Sequence, residues 1–136
     1  MHKAVVDTNI FLRILIKDDD KKANNCINFI RTANQNGISL YLPPIVILEI
    51  VFVLERMYKL AKSEIGKLIE GILNTPNLKC EMRDIFRNAI QIYVEKNIKF
   101  ADAVIALWAI DKEITTIYTY DEKDFRKIEG IDVKKP

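Results

Sequence analysis

The chain has 136 residues, of which 49% are hydrophobic and 29% are charged, and its formal net charge is +2. This length predicts one domain over residues 1–136 with a real core, and the composition is that of a globular protein. The longest apolar runs are far shorter than the roughly 20 residues of a membrane-spanning helix, so we expect no membrane contact. Residues 1–6 lead directly into predicted structure, so we expect no signal peptide.

The histidine and cysteine content narrows the chemistry. His2 is the single histidine and lies in a predicted frayed terminus, which disfavours a catalytic triad, a paired-histidine ribonuclease site and a histidine-rich zinc site. Cys26 and Cys80 belong to no CxxC motif, and we interpret them as reduced core thiols of a cytoplasmic protein. Any chemistry must therefore use carboxylates, hydroxyls, amines or a metal ion.

Apolar runs with strand and helix periodicity alternate along the chain. Short apolar or β-branched runs predict strands over residues 3–7, 38–42, 78–82, 115–120 and 132–134. Apolar residues at helical spacing predict helices over residues 8–17, from the Asp18–Asp20 run to about residue 36, and over residues 45–58, 64–73, 85–96 and 100–110. A short helix or turn is predicted over residues 121–128. This alternation predicts an α/β fold whose parallel sheet is covered by helices on both faces.

Several residues predict how these elements begin, end and pack. The Asp18–Asp20 run, Ser63 and Asp84 are predicted to cap the N-termini of three helices. Gly37 is predicted to end the second helix. The helix over 45–58 is apolar nearly all round as far as Leu54, which predicts burial between other elements. We expect Phe100 and Trp108 to be core residues.

Two predicted helices each carry one isolated carboxylate in an apolar run. Glu49 is the only charged residue between Pro43 and Leu54, and Asp102 is the only one between Lys99 and Asp111. An ionised carboxylate that is buried away from water destabilises the fold by several kcal/mol, unless a cation or hydrogen bonds compensate its charge. Selection for packing alone would replace both carboxylates. We therefore expect Glu49 and Asp102 to share a cation or to line a cleft that water fills.

Two further carboxylates follow predicted strands. Asp7 ends the first strand and Asp121 follows the fourth, and the carboxyl ends of parallel strands lie at one edge of a sheet. We expect them to meet Glu49 and Asp102 there. Oxygen ligands suit Mg²⁺ or Mn²⁺, which can activate a bound water. Each residue alone also has an ordinary explanation: Asp7 and Asp102 as helix caps, Glu49 as the partner of a buried cation, and Asp121 as a turn residue.

The four segments around these carboxylates resemble the PIN domain family. The segments are VVDTN at 5–9, LEIVFVLER at 48–56, FADAVIA at 100–106 and TYDEKDF at 119–125, in the order that the family has them. The resemblance covers essentially the whole chain, and FVLERMY at 52–58 is most similar to the VapC-type toxins of prokaryotic toxin–antitoxin pairs.

The resemblance implies a three-layer sandwich with a five-stranded parallel sheet flanked by helices, and a Mg²⁺- or Mn²⁺-dependent ribonuclease. It implies that Asp7, Asp102 and Asp121 hold the metal and that Glu49 orients or deprotonates the attacking water. The residues expected to support this site are Asn9 and Thr119. Many relatives carry an acidic residue where this chain has Lys99, so a second metal site is weaker or is served by Asp124, and the number of ions stays open.

The expected partners are RNA, a cognate antitoxin and a second copy of the chain. Without the four site carboxylates, 15 acidic residues face 21 basic ones, an excess of +6 that suits a polyanion but also fits ordinary surface charge. Arg13 is the candidate for substrate binding, with a surface or salt-bridged arginine as the alternative. The resemblance implies a homodimer with residues 44–73 near its interface.

Three competing interpretations remain. The first is a PIN-type RNA processing or quality-control nuclease without an antitoxin. The second is a phosphoacceptor signalling domain of flavodoxin-like type, which is disfavoured because Asp121 follows the predicted strand where such a domain needs a lysine. The third is a non-catalytic binding module, which the presence of all four carboxylates disfavours.

Overall fold

The computed structural model describes residues 1–136 and contains every predicted helix and strand, with ends that differ by a few residues. The strands are β1 His2–Val5, β2 Ile38–Leu42, β3 Leu78–Cys80, β4 Thr116–Tyr118 and β5 Asp132–Lys134. The helices are α1 Thr8–Ile16, α2 Asp20–Thr32, α3 Pro44–Arg56, α4 Lys62–Leu73, α5 Arg83–Lys96 and α6 Phe100–Asp111, with a 3₁₀ helix at Phe125–Lys127.

The strands form two parallel sheets rather than one. The first has the order β1-β2-β3, with Ala4 opposite Leu40 and Leu40 opposite Leu78, and the second contains only β4 and β5. The α/β class and the parallel pairing are confirmed, but the single five-stranded sheet is wrong. Residue patterns identify strands without identifying their partners. Here β4 pairs with β5 beside the 3₁₀ helix, which itself contacts α6, and makes no ladder with β1.

The three-stranded sheet has one core face and one open face. The core face carries the partly buried Ala4 with Leu40, Leu42 and Leu78, each of which is about 2% exposed. Side chains alternate along a strand, so the opposite face carries the neighbours Lys3, Val5, Tyr41 and Lys79. Val5 is 68% exposed there. The prediction that β1 is buried is therefore wrong, although Val6, directly after β1, is buried. The predicted cover on both faces is incomplete around Val5.

Helix packing builds the rest of the core. Helix α1 contacts α2 and α3, α4 contacts α3 and α5, and α5 contacts α6. Phe100 at the start of α6 lies against Phe86, with ring centroids 6.2 Å apart, and against Tyr93 at 5.8 Å. The core position of Phe100 is thus confirmed, whereas Trp108 is 44% exposed and its predicted core position is wrong.

Helix α3 is buried on one face only. Val46, Ile47, Ile50 and Leu54 lie in the core, whereas Ile45 and Phe52 are more than half exposed. The prediction of burial all round is therefore wrong. Apolar character on every side shows only that a helix could be surrounded, not that neighbours are present on each side. None of the helices combines the length and apolar character that crossing a membrane requires.

The predicted helix ends are only partly correct. The Asp19 carboxylate accepts a hydrogen bond from the Lys22 backbone N–H at 3.0 Å, which confirms that the acidic run caps α2. Ser63 and Asp84 are not caps, because each is the second residue inside its helix, and neither α4 nor α5 has a side-chain cap. Helix α2 ends at Thr32, and Gly37 adopts the left-handed φ of 75° directly before β2. Both cysteines are free thiols and only partly buried.

Two isoleucines of α3 test this arrangement because they differ only in burial. Ile47 is 0% exposed and Ile45 is 66% exposed. We expect Ile47→Ala to lower the free energy of unfolding by about 2–5 kcal/mol, because it removes buried methyl groups and leaves a cavity. Ile45→Ala should change it by no more than about 0.5 kcal/mol. Denaturant titration followed by circular dichroism measures both, and equal losses would contradict the one-sided burial of α3.

Candidate active site

Asp7 lies at the carboxyl end of β1, directly before α1. It occupies the N-cap position of that helix, but its side chain makes no capping hydrogen bond and the residue is exposed. The helix-cap explanation for Asp7 therefore does not account for its carboxylate. Asn9 follows in the first turn of α1 and is also exposed.

Glu49 occupies the exposed face of α3. The residue is open to solvent, so the predicted cost of burying its charge does not arise. The reason is the one-sided burial of α3, which a run of apolar residues does not reveal. No lysine or arginine forms an ion pair with Glu49 among the salt bridges of the structure, which removes the alternative of a buried cationic partner.

Asp102 lies in the first turn of α6 and is partly buried. Its Oδ2 atom is inaccessible to solvent and has no hydrogen-bond partner. Burial raises the pKa of the Asp102 carboxyl, the negative charge of Asp124 raises it further, and the Lys99 ammonium only partly offsets the rise. An acceptor oxygen in this state gains from any cation or proton donor that reaches it.

Asp121 and Lys99 form an ion pair beside Asp102. The Lys99 Nζ atom lies 3.2 Å from Asp121 Oδ2, and this hydrogen bond is the main reason for the raised pKa of Lys99. The Thr119 hydroxyl accepts a hydrogen bond from the Asp121 backbone N–H at 2.9 Å. Thr119 thus shapes the turn that presents the Asp121 carboxylate.

Asp124 joins the 3₁₀ helix to the start of α6. It is 8% exposed, its Oδ2 accepts a hydrogen bond from the Lys99 backbone N–H at 2.9 Å, and its Oδ1 lies 3.7 Å from Lys127 Nζ. A carboxylate at a helix N-terminus is favoured by the helix dipole. Because both oxygens are engaged, Asp124 acts as a structural cap contributed from a distant segment, a role that its local sequence does not indicate.

Arg13 lies on α1, with its NH1 atom 3.5 Å from Asp18 Oδ1. The structure thus contains the salt bridge that was the alternative to substrate binding. The pair is exposed, so it contributes little to stability and leaves the guanidinium accessible.

The predicted carboxylates do not converge on one point in this structure. Asp102, Asp121 and Asp124 interact electrostatically around Lys99, but no group of three or more histidine, cysteine, aspartate or glutamate residues is arranged to hold a metal ion. Strand ends meet at a shared edge only within one sheet, and β1 and β4 belong to separate sheets. Strand pairing therefore does not place Asp7 and Asp121 at one shared edge as predicted.

Two buried oxygens without hydrogen-bond partners mark the same segments. They are Oδ2 of Asp102 and Oγ1 of Thr8, which follows Asp7 directly. Buried polar atoms normally have partners, and exceptions often occur at functional sites. The chemistry of the donors, carboxylate and hydroxyl oxygens, fits a hard divalent cation. Nothing in the local sequence indicates this for Thr8, because burial of its hydroxyl is visible only in the fold.

A groove lies elsewhere, between α1, α2 and α4. It has a volume of about 460 Å³, and its lining includes Phe11, Leu15, Ile27 and Leu68, with Arg31 and Lys67 also contributing. None of the four predicted site carboxylates lines it. The groove is thus an apolar surface with a basic component, separate from the candidate active site.

Comparison with known proteins gives three findings. The sequence model of the PIN domain matches residues 4–131. A VapC ribonuclease of Aquifex aeolicus (strain VF5) is 27% identical over 124 residues, which cover 91% of this chain and 90% of the relative. The third match is the crystal structure of VapBC2 from Rickettsia felis bound to a DNA fragment from their promoter. The match covers 99% of this chain and 98% of the matched chain, at 18% identity. Its TM-score is 0.39, so the likeness carries no further conclusion.

The raised pKa of Asp102 has a consequence for stability. The folded chain holds the Asp102 proton more tightly than the unfolded chain, so between the ordinary and the raised pKa stability falls as the pH rises, and the loss persists at neutral pH. Without divalent metal, we expect Asp102→Asn to raise the melting temperature at pH 7 by roughly 2–4 °C, on the order of 1 kcal/mol. The gain should vanish below the ordinary pKa of aspartate.

Thermal unfolding followed by circular dichroism at several pH values in EDTA measures this effect. Asp111→Asn is the matched control, because Asp111 lies at the other end of α6 and is exposed. It should leave the melting temperature nearly unchanged. A lower melting temperature for Asp102→Asn at pH 7 would show that the charged Asp102 carboxylate stabilises the fold.

Proposed function

Because this chain belongs to the PIN domain family, we propose that it is an endoribonuclease that hydrolyses RNA phosphodiesters with the help of Mg²⁺ or Mn²⁺. The family match at residues 4–131 includes Asp7, Glu49, Asp102 and Asp121. The relative from Aquifex aeolicus, which is named a ribonuclease, supports RNA as the substrate class.

The unpartnered Oδ2 atom of Asp102 carries the proposal. It is a buried carboxylate oxygen whose nearby charges include those of Asp121 and Asp124, and its pKa is raised by this burial and repulsion. Selection for stability alone would replace such a group by an apolar or amide side chain. A role in cation binding accounts for its retention, since a divalent ion supplies the missing partner and offsets the repulsion.

The proposed ligands are the carboxylates of Asp7, Asp102 and Asp121, which do not form a three-carboxylate cluster in this structure and would have to be drawn together by the ion. When bound, the ion stabilises negative charge on the phosphate oxygens and makes a bound water more acidic. Glu49 is exposed and unpaired, so its carboxylate is free to accept the proton of the attacking water. Thr119 supports this site by shaping the turn at Asp121, and Asp124 does so by holding the start of α6. Asn9 is the proposed polar neighbour of Asp7.

Lys99 favours one metal ion over two. Its ammonium already neutralises part of the charge of Asp121 at 3.2 Å, and both oxygens of Asp124 are engaged by Lys99 N–H and Lys127. Asp7, Asp102 and the second carboxylate oxygen of Asp121 are left for a single site. A second divalent ion there would have to displace an ion pair and a helix cap.

The proposed biological role is that of the toxin in a type II toxin–antitoxin pair in the cytoplasm. The similarity to VapC-type toxins at residues 52–58 and the VapC relative support it. The groove between α1, α2 and α4 is the proposed seat of the antitoxin. Its apolar lining with Arg31 and Lys67 suits an apolar segment that carries acidic side chains.

A homodimer is proposed through the C-terminal end of α3, beyond Glu49. Phe52 and Met57 are exposed apolar side chains there, on and directly after the helix, and exposed apolar side chains of this size favour association. This surface falls within residues 44–73, where the resemblance implies the interface. The groove proposed for the antitoxin is lined by α1, α2 and α4, so an antitoxin and a second copy would use different surfaces.

Removal of single carboxylates tests the ribonuclease. We expect Asp7→Asn and Asp102→Asn each to lower the rate of Mg²⁺-dependent RNA cleavage by at least about a hundredfold, because each removes a proposed metal ligand. Asp111→Asn should cleave at the parent rate. Cleavage of total cellular RNA, with end analysis of the products, measures this. Water as nucleophile leaves a 5′-phosphate and a 3′-hydroxyl.

Two outcomes would contradict the proposal. Cleavage by Asp102→Asn at the parent rate would show that the site is elsewhere, and a 2′,3′-cyclic phosphate product would rule out attack by a metal-activated water. Absence of cleavage by the parent with either Mg²⁺ or Mn²⁺ would instead support a non-catalytic binding module.

Expression in growing bacterial cells tests the toxin role. We expect the parent chain to arrest growth because it degrades cellular RNA, whereas Asp102→Asn should be tolerated and Asp111→Asn should arrest growth as the parent does. Growth curves after induction provide the measurement, with immunoblotting to match protein levels. A parent chain that cleaves RNA in vitro but leaves growth unchanged would favour the processing or quality-control nuclease.

A further inference from the structure

The open face of the three-stranded sheet carries an aromatic–lysine patch, formed by Lys3, Tyr41 and Lys79. The Lys3 ammonium nitrogen lies 5.7 Å from the centroid of the Tyr41 ring, and that of Lys79 lies 5.3 Å from it. One residue comes from each strand, and Tyr41 stands on the central strand β2. The patch is built by regular sheet geometry and not by a flexible loop.

Strand register explains why these side chains share a face. Tyr41 is directly opposite Val5 on β1 and Lys79 on β3, and Lys3 is two residues before Val5. Residues two apart on a strand point to the same side. The alternate residues Leu40, Leu42 and Leu78 fill the core beneath. Core burial therefore holds the patch in place without contributing to its surface.

The charges that act on the Tyr41 phenol are positive. Partial burial would raise the pKa of this phenol, but the Ser39 side chain and the ammonium groups of Lys3 and Lys79 outweigh that effect, and its pKa is lowered. No carboxylate contributes to the shift. The surface around the ring thus has a positive potential although the whole chain carries a net charge of only +2.

We propose that the aromatic–lysine patch binds single-stranded RNA, with a base stacked on the Tyr41 ring and phosphates held by Lys3 and Lys79. This inference rests on the proposed activity on RNA. Aromatic rings on a sheet surface flanked by basic side chains hold single strands in this manner, because every base has a face that can stack. Duplex RNA offers no free base and would bind more weakly.

The position of the patch relative to Asp7 suits a substrate strand. The Tyr41 carbonyl accepts a hydrogen bond from the Val6 backbone N–H at 3.0 Å, and Tyr41 is level with Val5, two residues before Asp7. Two residues of a strand span about 7 Å. An RNA strand with a base on Tyr41 therefore places neighbouring nucleotides beside Asp7, so that the patch would position substrate without taking part in the chemistry.

A protein partner suits the patch less well. A second copy or a helix packed on this face would remove the Lys3 and Lys79 ammonium groups from water, which is costly without matching carboxylates. The exposed apolar side chains beside the patch are few, namely Val5 and, at the chain terminus, Met1. Exposed lysines can turn toward phosphates, and a stacked base is held more strongly than a single solvated ammonium over the ring.

Fluorescence anisotropy with a labelled oligouridylate of about 12 nucleotides tests the patch. Measurements in EDTA separate binding from metal-dependent cleavage. We expect Tyr41→Leu to weaken binding roughly tenfold, because a stacking face is lost, and Tyr41→Phe to bind as the parent does. Lys3→Ala and Lys79→Ala should each reduce the slope of log K against log salt concentration by about 0.7.

Tyr58→Leu is the matched control, because Tyr58 is 42% exposed and has no lysine or arginine over its ring. It should leave the affinity unchanged, and circular dichroism confirms folding of each variant. Parent affinity in Tyr41→Leu, equal weakening in Tyr58→Leu, or equal affinity of the parent for duplex and single strand would each overturn the proposal. A change of molecular mass in Tyr41→Leu with parent affinity for RNA would assign the patch to an interface between copies.

The cleavage assay distinguishes failure of this inference from failure of the proposed function. A parent chain that cleaves RNA while Tyr41→Leu binds normally refutes the patch alone. Binding that depends on Tyr41 in a parent chain that cleaves nothing refutes the nuclease and leaves the patch standing.

Discussion

The arrangement of the helices depends on Tyr93, which is fully buried where four of them meet. Its hydroxyl donates a hydrogen bond to Glu55 Oε2 at 2.5 Å, its ring lies edge-on to Phe100 at 5.8 Å, and the Lys62 ammonium lies 4.4 Å from the ring centroid. Burial and the Glu55 carboxylate raise the pKa of Tyr93, so it remains a neutral donor. Tyr93 on α5 thus ties together α3, α4 and α6, the last of which carries Asp102.

The start of α6 shows how stability and the proposed chemistry are divided between neighbouring carboxylates. Asp124 is buried, accepts a hydrogen bond from the Lys99 N–H and forms an ion pair with Lys127, so its charge is compensated. Asp102 has an unpartnered oxygen and a raised pKa. Asp124 holds the start of α6 in place, whereas Asp102 has an oxygen without a partner, which destabilises the fold. Such a contrast between neighbours is expected where a local rule is broken for function.

The open sheet face and the carboxylates support the same proposed function for different physical reasons. The site needs concentrated negative charge to bind a cation, and this charge alone would repel RNA. The aromatic–lysine patch offers positive charge and a stacking surface on the open face of the sheet, with Lys3 on the strand that leads to Asp7 and Tyr41 on the next strand. A chain of nearly balanced net charge can serve a polyanionic substrate in this way, since the local distribution of charge governs the encounter.

The sequence by itself determined the elements and the identities of the candidate residues. Apolar periodicity depends on local geometry, so the strands, the helices and the core position of Phe100 could be predicted, as could Asp7 after a strand and Asp102 in the first turn of a helix. Only the tertiary structure decided which strands pair, that Glu49 and Trp108 face solvent, and that Asp124 caps α6 from a distant segment. These features depend on contacts between residues far apart in the chain, which local periodicity does not encode.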